Sequence, residues 1–334
     1  MAGQGKSRKR LIRELLFLQE QTTPEEPINI EKLQSYLGEL SATRQIIYAD
    51  FKEMEDMGFG IHHKKNGHYY YDRQSFTMGE LTLMTDLVCC AGYPDVESAR
   101  KLLLHIKQMG NMRQFDALSR HENLAMRNKT NNPFCIDNTK LIHESILNNK
   151  MIIFRYAHTD RYGKTEPDKS RIISPYQLVW NNSRLYLLGG LEKNESMELR
   201  SFRVDKIYEL KQMETKRRML PCDHTFYSDK SGINAEKFLK ATFDMFSSED
   251  GKTTRVTFCV ANRLVGSAID QFGQNIHLKE YDAEHMQFTA DVQVSNMFFG
   301  WLARFDYEQM RILKPTDLIE RYKIHLQNIL KEYT

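Results

Sequence analysis

Arg171-Ile-Ile-Ser-Pro-Tyr-Gln-Leu-Val-Trp180, Asn181-Asn-Ser183, Arg184-Leu-Tyr-Leu-Leu188 and Glu198-Leu-Arg-Ser-Phe-Arg-Val204 follow one another closely in the chain. The runs are rich in β-branched and aromatic residues, and Asn-Asn-Ser is turn chemistry. Met151-Ile-Ile-Phe-Arg-Tyr156 and the turn-rich Thr159-Asp-Arg-Tyr-Gly-Lys164 precede them. Together they read as four or five short strands in about 55 residues. Tight turns leave no room for crossover helices, so the pattern favours a small antiparallel barrel over a parallel sheet.

Toward the N-terminus the period becomes helical. Leu11, Leu15 and Leu18 share one face of a helix over 8–20, and Pro24 and Pro27 mark a loop. Ile30, Leu33, Leu37 and Leu40 predict a second helix. Ser41 or Thr43 can cap a third, running to about Met57 with Ile47, Phe51 and Met54 inward, and Gly58 stands where a C-terminal cap belongs. Asn66-Gly67 between the β-prone runs at 59–63 and 68–72 signals a hairpin. Three short helices and a small hairpin describe a winged helix-turn-helix over 1–73. Two further helices, 78–92 and 94–110, and the polar stretch 128–133 form a helical linker over 74–137.

The strand-rich domain spans 138–215. A linker with a helix over 234–247 occupies 216–250. The last module, 251–334, is a small α+β unit. Its expected elements are a strand at 255–260, a helix at 262–272, strands around Tyr281 and Phe288, a helix at 296–305, a strand at 310–313 and a final helix from Pro315. Met297, Phe298, Trp301 and Phe305 lie at helical spacing and read as core, with a dimer face as the alternative. The fold class is α+β.

The 334 residues carry 47 Lys and Arg against 44 Asp and Glu, for a net charge of +3, which excludes a uniformly basic coat. Charge is distributed unevenly: residues 138–218 hold 16 basic and 10 acidic side chains, whereas 1–73 hold 11 of each. No apolar run reaches the ~18 residues of a membrane span, and the first ten residues do not resemble a secretory signal. The five cysteines show no Cys-x-x-Cys spacing and read as reduced thiols of a cytoplasmic protein. Nucleophile, dinucleotide and zinc-protease motifs are missing from the sequence, which points away from an enzyme and from any cofactor. His62, His63 and His68 read as solvated wing histidines, because adjacent strand residues face opposite sides, and no metal is expected.

At Arg184-Leu-Tyr-Leu187 the chain resembles the WYL domain, named for a Trp-Tyr-Leu triplet whose Trp is here Leu185. The order Tyr156, Arg171 to Pro175, Tyr186-Leu187, then Leu199-Arg-Ser-Phe-Arg203-Val-Asp-Lys-Ile207 carries the resemblance. Ile47-Tyr-Ala-Asp50 is similar to the recognition-helix signature of the family's winged helix, with Ala49 where Arg is usual. Phe298-Phe-Gly-Trp-Leu-Ala-Arg-Phe305 and Leu313-Lys-Pro315 are similar to its C-terminal extension. The resemblance implies a bacterial transcriptional regulator with a DNA-reading winged helix, an Sm-like β-barrel that senses a ligand, and a C-terminal dimerisation module. It further implies nucleotide or single-stranded nucleic-acid ligands, and service near phage-defence or DNA-damage systems.

For DNA, the third helix of a winged helix enters the major groove. Ser41, Thr43, Arg44, Gln45 and Tyr48 would meet base edges, Arg pairing with guanine and Gln with adenine. Lys64 and Lys65 of the wing, and Arg8, Lys9 and Arg10 of the leading arm, would meet phosphates. In the barrel the ligand set is Tyr156, Arg171, Tyr186, Arg200 and Arg203, since Arg suits phosphate and Tyr stacks on bases. Strand alternation puts Arg200 and Arg203 on opposite faces unless a bulge intervenes. A competing reading pairs these arginines with Glu198 or Asp205, leaving them to bind nothing. Two other function classes stand beside the regulator. One is an accessory RNA- or protein-binding module acting on a defence effector. The other is a hydrolase using His158, Asp160 and Asp168.

Overall fold

A computed structural model of the chain describes residues 2–72, 76–110, 116, 118, 129–193, 196–228, 232–248 and 251–333. Two compact units divide at Asn131 and Asn132.

In the first unit, α1 (Ala2–Gln21) precedes a two-residue strand β1 (Ile28–Asn29), α2 (Ile30–Leu37) and α3 (Arg44–Asp56). The hairpin β2 (Ile61–Lys64) and β3 (His68–Tyr71) follows, turning at Asn66 and Gly67, both at positive φ. The core holds most of the helical positions that the spacing selects, Leu18 of α1, Leu33 and Leu37 of α2, and Ile47, Phe51 and Met54 of α3, whereas Leu11 and Leu15 are only partly buried and Phe17, outside the expected face, joins the core. Asn29 caps α2 by accepting from Lys32 N at 3.0 Å. β1 pairs antiparallel with β3 and makes the sheet three-stranded, an element the Pro24–Pro27 loop reading omits. Beyond it, α4 (Met78–Cys90) opens with a capping box of Thr77 and Glu80, and α5 (Val96–Gln108) is capped by Asp95. The rest of the expected linker, 111–115, 117 and 119–128, lies outside the described residues.

The second unit begins with α6 (Cys135–Leu147), which packs on strands of a five-stranded antiparallel sheet. The strands are β4 (Lys150–Thr159), β5 (Thr165–Asn181), β6 (Arg184–Lys193), β7 (Ser196–Arg203) and β8 (Ile207–Lys216), in spatial order β7-β6-β5-β4-β8. A single 3-10 turn, Val204–Lys206, joins β7 to β8. β5 is long enough to pair with β4 through its first half and β6 through its second.

In a flat sheet β4 and β7, three positions apart, would be separated by roughly 14 Å. Yet the Phe154 and Phe202 ring centroids are 5.5 Å apart, and Tyr156 Oη accepts from Arg203 N at 3.1 Å. The sheet therefore curls back on itself around Phe154, Leu187 and Phe202. Its outer face, with Tyr176, Val179 and Leu188, is covered by Leu220, Phe226, Ile233, Phe238 and Met245. The helix expected over 234–247 is shorter: α7 (Ala235–Ala241) stops before Asp244 and Met245, whose positive φ values of 48° and 64° cannot continue a helix.

The last module pairs β9 (Thr254–Ala261), β10 (Lys279–Glu280), β11 (His285–Val292) and β12 (Met310–Lys314) in the order β10-β11-β9-β12. Helices α8 (Val265–Phe272), α9 (Asn296–Leu302) and α10 (Thr316–Lys331) cover one aromatic core. Phe258 stacks on Phe288 at 5.0 Å, and Phe298, Trp301 and Phe305 join the cluster, while Met297 is exposed. Among the described residues no helix is long and apolar enough to cross a membrane.

Candidate functional site

The curl of the sheet brings together side chains that are distant in sequence. Tyr186 on β6 and Arg203 on β7 are register partners and so share a face. Tyr156 reaches the same strand end from β4. Beneath them lies Asp205, only 5% exposed in the 3-10 turn. Arg203 grips it with two hydrogen bonds, Nε to Oδ1 at 3.0 Å and Nη2 to Oδ2 at 2.6 Å. Arg184, two residues before Tyr186 on the same face, donates to Oδ2 at 3.3 Å. Two guanidiniums over one carboxylate leave the cluster a net charge of +1.

The electrostatics follow from this packing. Burial raises the Tyr156 phenol above its ordinary pKa, and burial likewise raises Tyr186, so both stay neutral donors at physiological pH. The hydrogen bond to Asp205 raises the Arg203 pKa further. Arg203 keeps about a third of its side chain exposed, and its Nη1 is engaged by no hydrogen bond among the described residues. The cluster can present one guanidinium edge and two phenols to an anion.

The five barrel residues expected as a set do not form one. Tyr156, Tyr186 and Arg203 converge. Arg200 lies on the opposite face of β7, exposed and paired with Glu198 at 2.5 Å. Arg171 sits on β5 opposite Phe154 and makes no ion pair among the described residues. Both carboxylates named as competing partners are the observed ones, Glu198 for Arg200 and Asp205 for Arg203. Arg184 was missed. The signal was available, because residues two apart on a strand share a face.

In the first unit, Ser41, Thr43, Arg44, Gln45 and Tyr48 are all exposed at the start of α3. Arg44 carries an exposed ion pair with Glu31. Lys64 and Lys65 are exposed beside the hairpin turn, and Arg8 and Lys9 on α1. Arg10 is different: its Nε is 2.7 Å from Asp50 Oδ2 and 3.4 Å from Glu14 Oε1, and 13% of its side chain is exposed. It anchors α1 to α3 and is withdrawn from the phosphate-facing set. His62 stacks on Tyr70 and His63 lies against Tyr69. His158 and Asp168 are 3.9 Å apart and exposed, while Asp160 accepts from Tyr162 N and Lys164 N to build its turn. The three expected hydrolase residues thus form no joint acid-base set.

Residues 137–212 match the WYL domain family, which covers most of α6 and nearly the whole curled sheet. A comparison with curated protein sequences gave no match. Among solved structures, the chain is similar to proteasome accessory factor B/C of Arthrobacter aurescens, at 16% identity and a TM-score of 0.29 over 97% of this chain. The match covers 49% of that protein, so this chain spans about half its length. A CRISPR Cas-related protein matches at 14% identity and a TM-score of 0.36, over 96% of this chain and 76% of its own.

Proposed function

We propose that this chain, which carries a WYL domain at residues 137–212, is a homodimeric, non-enzymatic transcriptional regulator. Its grip on a DNA operator is altered by a nucleotide or single-stranded nucleic acid held in that domain. The observation that carries the reading is the convergence of Tyr156, Tyr186 and Arg203 over the buried Asp205. A phosphate would take the Nη1 edge of Arg203, and a base would lie against a phenol ring. The strand order and the 3-10 turn before β8 support a small Sm-like barrel. Three helices, with β1 between the first two and the β2–β3 hairpin after the third completing a three-stranded sheet, support a winged helix whose α3 enters the major groove.

Coupling requires that the ligand favour one arrangement of the DNA-reading units over another. The test is operator binding by the full chain with and without short single-stranded oligonucleotides. Arg203→Ala is expected to abolish the response. Arg200→Ala, on the other face, is expected to keep it. If both variants respond like the parent, the sensing site is wrong. Charge reversal at Arg44 is expected to abolish specific footprinting; an unchanged footprint removes the recognition-helix assignment.

A second reading, an accessory RNA- or protein-binding module in a defence system, draws support from the charge of residues 1–73. Their 11 basic and 11 acidic side chains cancel, and Arg10 and Arg44 are held by Asp50 and Glu31. Duplex affinity that falls steeply with salt favours the regulator. Salt-insensitive binding, or a preference for single-stranded RNA, favours the module. Service in phage defence or DNA-damage control is tested by the genes beside this one.

A further inference from the structure

The chain has two tryptophans, and both line one cleft. The cleft, of about 410 Å³, lies within the second unit between the β5–β6 turn, α7, α8 and α9. Trp180 is the penultimate residue of β5 and is 54% exposed, which is high for a large aromatic side chain. Trp301 also lines the cleft, and its ring packs on Phe243 and Phe305 at 5.0 and 5.3 Å.

The walls are held in place. Asn182 Nδ2 donates to Asp244 Oδ1 at 2.5 Å and ties the turn to the segment after α7. Lys240 is paired with Glu236 and passes over Gly273, where a Cβ would stand 2.8 Å from its Nζ. Two charges remain without an ion-pair partner among the described residues, the Asp270 carboxylate of α8 and the Arg304 guanidinium after α9. The cleft therefore offers aromatic surface, one acceptor-only group and one donor-only group.

The volume suits a nucleoside. Charge argues against a polyphosphate: Glu236, Asp244 and Asp270 outnumber Lys240 and Arg304. A base that stacks on indole, donates from one edge to a carboxylate and accepts at another from a guanidinium fits this wall chemistry. Guanine is the nucleobase that matches both groups at two points, since N1 and N2 on one edge donate together to a carboxylate while O6 and N7 on another accept together from a guanidinium. We infer that this cleft binds the guanine base of a nucleoside or short oligonucleotide, stacked on Trp180, with Asp270 on its donor edge and Arg304 on its acceptor edge. The site shares no lining residue with Tyr156, Tyr186 or Arg203, so it stands or falls apart from the regulator reading.

Both tryptophans face the cleft, which makes intrinsic fluorescence a local reporter. The experiment titrates the full chain with guanosine, adenosine and cytidine. The expected result is saturable quenching, tightest with guanosine. Trp180→Ala, read through Trp301, weakens guanosine binding about tenfold, because a stacked base loses its platform. Asp270→Asn weakens it about as much and narrows the preference over adenosine. Both side chains are exposed, and unchanged circular dichroism verifies the fold of each variant. Arg203→Ala leaves the curve unaltered. Quenching that only rises linearly with concentration overturns the inference. So does a preference for adenosine or cytidine, an unshifted curve in Trp180→Ala or Asp270→Asn, or a curve lost in Arg203→Ala.

Discussion

Replacing Glu14 by Gln should stabilise the first unit, and more so as pH rises. Glu14 is 0% exposed on α1, and neither carboxyl oxygen has a hydrogen-bond partner among the described residues. Arg10, the nearest cation, is held more closely by Asp50. Burial is the main cause, with the neighbouring Asp50 carboxylate second, of a Glu14 pKa pushed up to about 8 from an ordinary 4.5. The folded state thus holds the proton more tightly than the unfolded chain. The stability this provides is complete below pH 4.5 and drains away as pH climbs to about 8. At about 1.4 kcal/mol per pH unit the window is worth at most about 5 kcal/mol, with water entry and local relaxation reducing it. Gln keeps the shape and cannot ionise. At pH 8 the variant should be more stable by a few kcal/mol, and near pH 5 close to the parent. Hydrogen exchange on the full chain at both pH values reads this from the amides of α1 and α3. A variant no more protected at pH 8, or a parent whose protection does not fall between pH 5 and 8, refutes the argument.

Three further outcomes follow from contacts in the second unit. Asn132, 1% exposed, donates to Asp205 O and Ile207 O at 3.0 and 2.9 Å and accepts from Phe134 N. Asn132→Ala should cost about 3 kcal/mol in denaturant melts, since buried backbone groups lose their partner. Gly190 faces Tyr176 Oη and Met197 Sδ so closely that an added Cβ would meet the sulfur at 2.6 Å. Gly190→Ala should lower stability by about 2 kcal/mol, and an unchanged denaturation midpoint would contradict the close approach. Asp205→Ala strips the counter-charge from Arg184 and Arg203, and should cost about 3 kcal/mol, falling as ionic strength rises.

Where local pattern and tertiary burial agree, the elements are readable from the chain. The α1 to α3 helices obey this because Leu18, Leu33, Ile47 and Phe51 sit at helical spacing and are buried. Asn66-Gly67 turns the hairpin because both backbone positions need positive φ. α6 escapes notice since two of its buried positions are Asn138 and Ser145, whose polar side chains hide the apolar period and bond to Ile207 O and Leu141 O. β8 is missed for the reverse reason: Ile207 alone is fully buried in its ten residues, so an edge strand resembles a charged loop. The over-long helix at 234–247 reflects apolar spacing that continues after the backbone has turned at Asp244.

The site obeys a stricter rule. Alternation along β7 separates Arg200 from Arg203, so no one-strand reading can gather both into one pocket. What joins Arg203 to Tyr156 is the curl of the sheet, a long-range property that no run of residues encodes locally. The pairing of Arg203 with Asp205 spans two residues and is visible in advance, but its consequence is not. A buried carboxylate holds the guanidinium at fixed orientation through Nε and Nη2, and so sets which edge meets solvent. Asp205 therefore defines the geometry of any anion site here as much as the arginine that would touch the anion. Arg203→Lys keeps the charge and loses the two-point grip, so a site built on orientation must fail with lysine, whereas one built on charge alone must survive.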